Sequence, residues 1–312
     1  MRDRAVTRSY RARFHAWWEG VDLPPPPDSA AEPLLLDREA APEPVARGNG
    51  VAKAWPQPRI EAAQRIWGRD FIAPGGADFT LELAKPFGAG PRTSLCDLQA
   101  GLGGGTRAIA KAYGVWVTGL EPDPDLADLA HRRSRALAVE RKAPIEAYDP
   151  ETLTLKPESF DCLFGREGFC HVIDKAHLLN GLVAALRAHG QLIFTDLVLA
   201  DTAAVRAAAD GAVGRWAAAE PRPPHPWPAD RMVEALAERG LDVRIRQDIT
   251  PLYRGLVVGG FKRLADQIRA GAVGRDQLAP VLAETERWAR RVTALDRGAL
   301  RCYRFHAIKQ AA

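Results

Sequence analysis

Long apolar runs and paired cysteines are both missing from this chain. No stretch approaches the roughly 18 uninterrupted apolar residues that a membrane-spanning helix needs. The 312 residues include four cysteines, which form neither a C-x-x-C pair nor a zinc spacing. A disulfide framework is not expected in a chain of this length. These absences predict a cytoplasmic protein with free thiols, no membrane span and no metal site.

A secretory leader and a strong net charge are missing too. Met1 to Arg4 are charged, but no apolar segment follows them, so we expect no signal peptide. The formal net charge is only +4, which permits an anionic partner without demanding one. Glu284, Glu286 and Asp296 are interspersed with the arginines of residues 287–304, which we therefore interpret as solvated helix faces. Anion binding beside a substrate is one alternative, and nucleic-acid contact, which we do not expect, is the other.

Residues 1–50 differ in composition from the rest of the chain. Pro24 to Pro27 enforce an extended polyproline segment, and residues 28–50 are rich in Ala, Pro, Glu and Asp. We interpret residues 1–50 as a surface arm or linker and residues 51–312 as one domain. Trp17 and Trp18 either dock the arm onto that domain, which we favour, or bind a protein partner or a membrane surface.

From about residue 59, helical and β-rich patterns alternate. The β-rich runs lie at residues 94–98, 116–121, 144–148, 160–164, 191–198, 241–249 and 301–308. Helical patterns cover residues 59–67, 77–84, 106–113, 124–138 and 177–188, with Gly190 as the stop signal after the last. The alternation predicts an α/β fold whose parallel sheet is covered by helices on both faces. We expect a lid insertion at about residues 200–230 and a helical insertion at about 251–297.

A glycine-rich turn joins the first strand to the following helix. Asp97 ends the strand, and Gly101, Gly103 and Gly104 follow it. Glycines let a backbone approach a ligand closely, and the first N–H groups of a helix are free to bind acceptors. Glu121 ends the second strand, where a carboxylate can accept both hydroxyls of a ribose. The turn therefore indicates a nucleotide-like ligand.

Two further features complete this pattern: Asp149 follows the third strand, and Phe160-Asp161 opens the fourth. The set resembles the class I S-adenosylmethionine-dependent methyltransferases over residues 94–198. The resemblance implies a Rossmann-like sheet of seven strands with the last antiparallel, and S-adenosylmethionine as cofactor. It assigns cofactor binding to Asp97, Gly101, Gly103, Gly104, Glu121, Asp149 and Arg166. Gln99 stands where that family usually has glycine, so its side chain either narrows the methionine end of the pocket or turns aside.

The residues after the fourth strand indicate the methyl acceptor. They read GREGFCH over residues 165–171 and contain neither an Asn/Asp-Pro-Pro-aromatic sequence nor a Pro-Cys nucleophile. Nucleobase and amide acceptors are therefore disfavoured. Together with residues 66–76 and 288–309, this segment resembles the phosphoethanolamine N-methyltransferases and related small-molecule enzymes. The likeness covers about residues 55–309.

That resemblance implies the catalytic residues. His171 would be the base or the orienter of the acceptor, and Glu167 would contact its amine. Methyl transfer from a sulfonium needs a neutral amine lone pair, and a histidine that titrates near neutrality can take the proton. A carboxylate can hold and orient the cationic amine. The structural alternatives are a capping or core histidine and a solvated loop acid.

A second catalytic residue of that family, a tyrosine upstream of residue 66, has no counterpart, since no tyrosine occurs between Tyr10 and Tyr113. Trp55 lies near that place and can stack on a methylammonium, although a packing role is favoured. We assign Trp55, Trp67 and Arg222 to the acceptor side. Arg222 lies in a proline-stiffened loop that suits an acidic or zwitterionic acceptor, unless the loop is only a rigid connector.

These inferences predict an enzyme that transfers methyl groups from S-adenosylmethionine to a small molecule, in particular an amine. The runner-up is a methyltransferase-fold protein with weak or no catalysis that serves as an interaction or assembly subunit. Gln99, the missing tyrosine and the long arm favour that runner-up. An RNA methyltransferase is a third alternative.

Overall fold

A seven-stranded sheet organises the protein. The computed structural model describes residues 54–200, 202–203 and 211–311, and the arm predicted for residues 1–50, with Trp17 and Trp18, lies outside the described residues. The strands are β1 (Ser94–Asp97), β2 (Trp116–Glu121), β3 (Ile145–Ala147), β4 (Phe160–Arg166), β5 (Leu186–Leu199), β6 (Leu241–Asp248) and β7 (Leu300–Lys309). Their order across the sheet is β3-β2-β1-β4-β5-β7-β6.

The strand directions match the expectation from the sequence. Strands β1 to β5 run parallel, and β7 runs antiparallel to both β5 and β6. The predicted seven-stranded sheet with an antiparallel last strand is therefore confirmed. The strand order reverses at β1, which lies between β2 and β4. In an open α/β sheet, the carboxyl ends of the strands at such a reversal form a crevice where ligands bind.

Helices cover both faces of the sheet. They are α1 (Gln57–Trp67), α2 (Gly76–Ala84), α3 (Gly104–Tyr113), α4 (Pro124–Ala136), α5 (Lys175–Ala185), α6 (Ala212–Ala217), α7 (Ala229–Ala237), α8 (Thr250–Arg269) and α9 (Arg275–Asp296), with short 3-10 helices at Lys85–Phe87 and Phe169–His171. One core joins α1, α2, α3, α8 and α9 to the sheet, and a second joins α5 and α7 to its other face. Along β5, Ile193 belongs to the first core, whereas Leu192 and Phe194 belong to the second. A strand buried on both faces is rich in apolar residues, and β5 carries two such runs, residues 192–194 and 197–199.

The junction between α5 and β5 differs from the prediction. The sequence predicts a helix to residue 188 that Gly190 stops, but α5 ends at Ala185 and β5 begins at Leu186 without a loop. Leu186 pairs with Phe160 of β4, and the Ser159 N–H donates to the Ala185 carbonyl. Strand pairing at Leu186 therefore ends the helix before Gly190, and Gly190 lies inside β5.

Within the described ranges, no helix is long and apolar enough to cross a membrane. The four cysteines are buried, and none of them forms a disulfide. The same residues contain no cluster of three or more metal-ligating side chains.

Candidate cofactor and acceptor site

One cavity lies at the carboxyl ends of β1, β2 and β4, at the reversal of strand order. Its walls come from the glycine-rich turn, the segment around Asp70, the residues after β4, the loop at residues 220–222, and α9. The predicted site residues that it brings together are Trp55, Asp97, Gly101, Glu121, Arg166, Glu167, His171 and Arg222. We call the part of the cavity beside β1 and β2, which contains residues predicted to bind the cofactor, the cofactor half. The part beside β4, the loop and α9, which contains residues predicted to bind the acceptor, is the acceptor half.

Four predicted site residues are not part of the cavity wall, namely Trp67, Asp149, Gly103 and Gly104. Trp67, assigned to the acceptor side, is 3% exposed and packs against Trp288, with ring centroids 4.6 Å apart. The amphipathic helix α1 turns this ring into the core instead. Asp149, assigned to the adenine, is exposed in the turn after the edge strand β3. There its Oδ1 accepts a hydrogen bond of 3.0 Å from the Glu151 N–H.

Gly103 and Gly104 belong to the turn but not to the cavity wall. Gly103 caps α3 with a φ of 78°, which favours glycine. A Cβ on Gly104 would lie 2.5 Å from the Asp70 carbonyl oxygen. Asp70 is held there by ion pairs with Arg107 (3.2 Å) and Arg133 (2.6 Å). Gly104 therefore allows the segment around Asp70 to pack onto the turn.

Glu121 is the buried acid of the cofactor half. Its Oε2 accepts a hydrogen bond from the Gly101 N–H (2.8 Å), and its Oε1 accepts one from the Asp123 N–H (2.9 Å). Burial raises the pKa of Glu121 to about 7. Each carboxylate oxygen has two acceptor sites, so one remains on each for the hydroxyls of a ligand.

Asp97 fixes the start of the turn. The Thr106 hydroxyl donates to its Oδ2 (2.7 Å), and the Gln99 N–H lies 3.4 Å from its Oδ1. Burial raises the pKa of Asp97 to about 6. Asp97 thus links the end of β1 to the first turn of α3, while its carboxylate lines the cavity.

Gln99 turns toward the segment after β4. Its Oε1 accepts a hydrogen bond of 3.0 Å from the Arg166 backbone N–H. A Cβ on Gly165 would lie 2.5 Å from this oxygen, and a Cβ on Gly168 would overlap the Gln99 side chain. The two glycines make room for Gln99, which stays in the cavity wall between the two halves.

Glu167 is the central acid of the acceptor half. It has a φ of 57°, in the left-handed region, and its side chain is 7% exposed. Its Oε2 accepts hydrogen bonds from the Tyr253 hydroxyl (2.5 Å) and from Arg291 Nη1 (3.0 Å). Its Oε1 is buried without a hydrogen-bond partner in the described part of the chain, 3.8 Å from Arg166 Nη2. Oε2 is therefore hydrogen-bonded twice, whereas Oε1 faces Arg166 without a hydrogen bond.

Arg291 connects Glu167 to the loop that precedes Arg222. Its Nη2 donates to Glu220 Oε1 (2.6 Å), and its guanidinium stacks on Trp288 at 4.3 Å. Burial opposes its charge, but Glu220, Tyr253 and Glu167 together raise the pKa of Arg291 above its ordinary value. Arg291 is 8% exposed, so the interpretation of this arginine series as a solvated face is wrong at this position.

His171 ends the 3-10 helix after β4. Its Nδ1 lies 3.2 Å from the Arg222 carbonyl oxygen. Because a carbonyl only accepts, Nδ1 carries the proton and Nε2 keeps a lone pair. Burial lowers the pKa of His171 to about 4, against the opposing effect of Glu220. The imidazole is therefore neutral at physiological pH, and the titration near neutrality expected from the sequence is wrong.

The remaining predicted acceptor residues are Trp55 and Arg222. The Arg59 guanidinium lies 3.6 Å from the Trp55 ring centroid, so the chain's own cation occupies that face of the ring. Arg59 is in turn bonded to Glu284 at 2.9 Å. The Arg222 side chain has no hydrogen-bond or ion-pair partner among residues 54–200, 202–203 and 211–311, and it lines the cavity.

Residues 96–194 match the sequence profile of a family described as a methyltransferase domain. The match runs from β1 into β5 and contains the glycine-rich turn, Glu121, Glu167 and His171. Over these residues, about a third of the chain, the protein is therefore similar to methyltransferase domains. Its sheet order and antiparallel last strand agree with that assignment.

Two curated N-methyltransferases share part of this methyltransferase domain. Phosphoethanolamine N-methyltransferase 2 of Caenorhabditis elegans is 31% identical over 139 residues, which are 44% of this chain and 31% of that protein. A glycine/sarcosine/dimethylglycine N-methyltransferase of Actinopolyspora halophila is 28% identical over 117 residues, 36% of this chain and 20% of that protein. The chain thus spans less than a third of either relative.

A solved structure shares the fold over more of the chain. It is Haemonchus contortus phosphoethanolamine N-methyltransferase 2 in complex with phosphomonomethylethanolamine and S-adenosylhomocysteine. The TM-score is 0.68 at 19% identity, and the alignment covers 81% of this chain and 57% of that one. At this identity the likeness shows a common fold.

Proposed function

We propose that this chain is an S-adenosylmethionine-dependent methyltransferase whose acceptor is the amine nitrogen of a small molecule. The observation that carries the proposal is a single cavity that joins Gly101 and Glu121 to Glu167 and His171. The first pair suits a nucleoside cofactor, and the second suits an amine. The methyltransferase domain and the N-methyltransferase relatives support the same reaction.

The cofactor half fits S-adenosylmethionine. Glu121 keeps an acceptor site on each oxygen for the two ribose hydroxyls, while its other sites hold the Gly101 turn. Gly101 has a φ of 56°, and a Cβ there would lie 3.3 Å from Ile72, so its backbone stays close to the cavity. Asp97, at the end of β1, completes this wall. When bound, the cofactor supplies a methyl carbon that leaves sulfur as the nitrogen–carbon bond forms.

The acceptor half suits an amine that is held between two acceptors. Oε1 of Glu167 can accept a hydrogen bond from the amine and balance its charge. The neutral imidazole of His171 has its lone pair on Nε2, so it can accept a second N–H and orient the nitrogen lone pair. With a pKa of about 4, His171 is an orienting acceptor more than a strong base. The proton that the nitrogen loses passes to solvent.

Arg222 adds a feature for the rest of the acceptor. Its guanidinium lines the cavity without an ion-pair partner among the described residues. Guanidinium groups bind carboxylates and phosphates through parallel hydrogen bonds. The acceptor panel should therefore include amines that carry an acidic group.

Calorimetry with S-adenosylmethionine followed by an acceptor screen tests the proposal. The panel comprises ethanolamine phosphates, glycine derivatives and simple amines, with mass spectrometry to detect an added methyl group on nitrogen. Cofactor binding in the micromolar range with a methylated amine product supports the proposal. No binding at millimolar cofactor contradicts it and supports the assembly-subunit alternative.

A further inference from the structure

We infer that Tyr253 and Arg291 are positioning residues that hold Glu167 with one carboxylate oxygen reserved for the amine. The inference rests on the proposed function and adds to it two residues from α8 and α9. Neither residue lies within residues 96–194, which match the methyltransferase domain profile.

The three side chains form a closed set of contacts. The Tyr253 hydroxyl lies 2.5 Å from Glu167 Oε2, and Arg291 Nη1 lies 3.0 Å from the same oxygen. Arg291 Nη1 also lies 3.1 Å from the Tyr253 hydroxyl oxygen. Tyr253 is 0% exposed. Both donors therefore converge on Oε2, whereas Oε1 has no hydrogen bond among the described residues and lies 3.8 Å from Arg166 Nη2.

The directions of these hydrogen bonds are fixed by chemistry. A guanidinium only donates, and a tyrosine hydroxyl has one proton to give. The Tyr253 hydroxyl accepts from Arg291, so its proton is directed to Glu167. Glu167 consequently receives two donors at Oε2 and remains an acceptor at Oε1, which matches an amine that brings N–H groups.

Arg291 is itself held on its other side. Glu220 Oε1 accepts from Arg291 Nη2 (2.6 Å) and from Trp216 Nε1 (2.6 Å). Stacking on Trp288 fixes the plane of the guanidinium. Arg291 therefore cannot swing toward Oε1 without breaking its bond to Glu220.

The backbone and the side chain of Glu167 both suit a group that binds a hydrogen-bond donor. Its positive φ is a strained conformation for a residue other than glycine, and it persists where the surroundings hold it, often at a functional site. Buried polar atoms almost always have a hydrogen-bond partner, yet Oε1 has none among the described residues. A donor supplied by the acceptor would satisfy this oxygen.

Tyr253→Phe tests the inference because it removes only the hydroxyl. We expect the KM for the acceptor to rise about tenfold, as befits a lost hydrogen bond to a charged group. The affinity for S-adenosylhomocysteine, measured by calorimetry, should stay unchanged, and kcat should change less than KM. Tyr113→Phe is the matched control, since the Tyr113 hydroxyl donates to the Leu81 carbonyl (3.0 Å) away from the site.

A double-mutant cycle shows whether Tyr253 acts through Glu167. In a Glu167→Gln background, Tyr253→Phe should add no further rise in KM, because the group it positions is already altered. Arg291→Lys keeps the charge but loses the fork that reaches both carboxylates, so it should raise KM in the same way. Multiplying effects in the cycle, or a wild-type KM in Tyr253→Phe, overturns the inference. A wild-type protein without cofactor binding or methyl transfer refutes the proposed function itself.

Discussion

The two halves of the cavity are built in different ways. The cofactor half comes from a short piece of chain, Asp97 to Glu121, and its key contacts join a side chain to backbone N–H groups. The acceptor half joins Glu167, Glu220, Tyr253 and Arg291, which are far apart in sequence, through bonds between side chains. Cofactor binding therefore depends on the shape of one turn. Acceptor binding depends on side chains that can change without disturbing that turn.

The largest expected effect separates the halves from the acceptor side. His171→Ala should lower turnover by about 10²-fold, the usual scale for a group that handles a reacting proton or its hydrogen bond. S-adenosylmethionine affinity should stay within about twofold, because His171 lies on the acceptor side. Steady-state kinetics and calorimetry measure the two quantities. A loss of cofactor affinity as large as the loss of turnover would contradict the independence of the two halves.

The pH dependence of the same reaction sharpens this test. Burial lowers the pKa of His171 to about 4, so the imidazole stays neutral from pH 8 down to about pH 5. No fall in rate near pH 6.5 should come from this residue. A fall there that disappears in His171→Gln would contradict the neutral imidazole.

The complementary change lies in the cofactor half. Glu121→Ala should weaken S-adenosylmethionine binding by about 1–3 kcal/mol, since two ribose hydroxyls would lose a charged acceptor. Acceptor KM at saturating cofactor should hardly change. Calorimetry with Glu146→Ala, an exposed acid on β3, as the control checks this result. Unchanged cofactor affinity in Glu121→Ala would place the ribose elsewhere.

Glu121 also predicts a pH effect with a definite sign. Its pKa is raised to about 7 in the free protein, so it is mostly protonated at pH 6 and mostly ionised at pH 8. The ionised form accepts the ribose hydroxyls, and cofactor affinity should therefore fall by up to about tenfold from pH 8 to pH 6. Glu121→Gln should flatten this dependence. A wild-type affinity that rises on acidification would contradict the assignment.

A smaller effect is expected where the two halves meet. Gly168→Ala should lower the free energy of unfolding by about 1–3 kcal/mol, because its methyl group would overlap the Gln99 side chain. Gly255→Ala is the control, since a Cβ at that exposed position of α8 meets nothing within 4 Å. It should leave stability unchanged or raise it by up to about 1 kcal/mol. Denaturant unfolding distinguishes them, and equal stabilities would mean that Gln99 moves aside freely.

The smallest effect is expected for the arm. Deletion of residues 1–50 should leave cofactor affinity and acceptor KM as they are, because every described residue that lines either half lies later in the chain. The thermal unfolding midpoint and both binding constants check this expectation. An insoluble truncated protein would show that Trp17 and Trp18 belong to the core of the domain.

Local patterns predicted the fold well. Each strand of the sheet has its own β-rich run, and a glycine or proline turn separates most runs from the next helix. The prediction for the α5–β5 junction was wrong. Gly190 would stop the helix only if the helix reached it, but Leu186 already pairs with Phe160 of β4. Strand pairing is a contact between distant residues, which no local pattern contains.

The cofactor half could be predicted for the same reason, since Asp97, Gly101 and Glu121 each end a strand or form a turn. Only part of the acceptor half could be predicted from the sequence. Glu167 and His171 follow β4 directly, but Tyr253 and Arg291 reach them from helices packed much later in the chain. Trp67 and Asp149 were predicted to belong to the site, but neither side chain lines the cavity. A position in the sequence does not determine which way a side chain points.

A usable signal for Arg291 was nevertheless present in α9. The buried stripe of this helix contains Val281, Glu284, Thr285, Trp288, Arg291, Val292 and Leu295, at helical spacing. Glu284 and Arg291 therefore lie on the apolar face, where a charged side chain needs a buried partner. The interpretation as a solvated face counted charges along the chain and overlooked this periodicity.

The overlap of Gln99 with Gly168 restricts the order in which this site can change. A side chain added at position 168 while Gln99 is present must displace the Gln99 side chain, whereas position 99 can be shortened first at the cost of a small void. The order of the two substitutions therefore matters. Replacing Gln99 first leaves a small void, whereas replacing Gly168 first forces the Gln99 side chain to move. A library that varies position 168 alone would discard acceptor sites that become accessible once Gln99 is replaced by glycine.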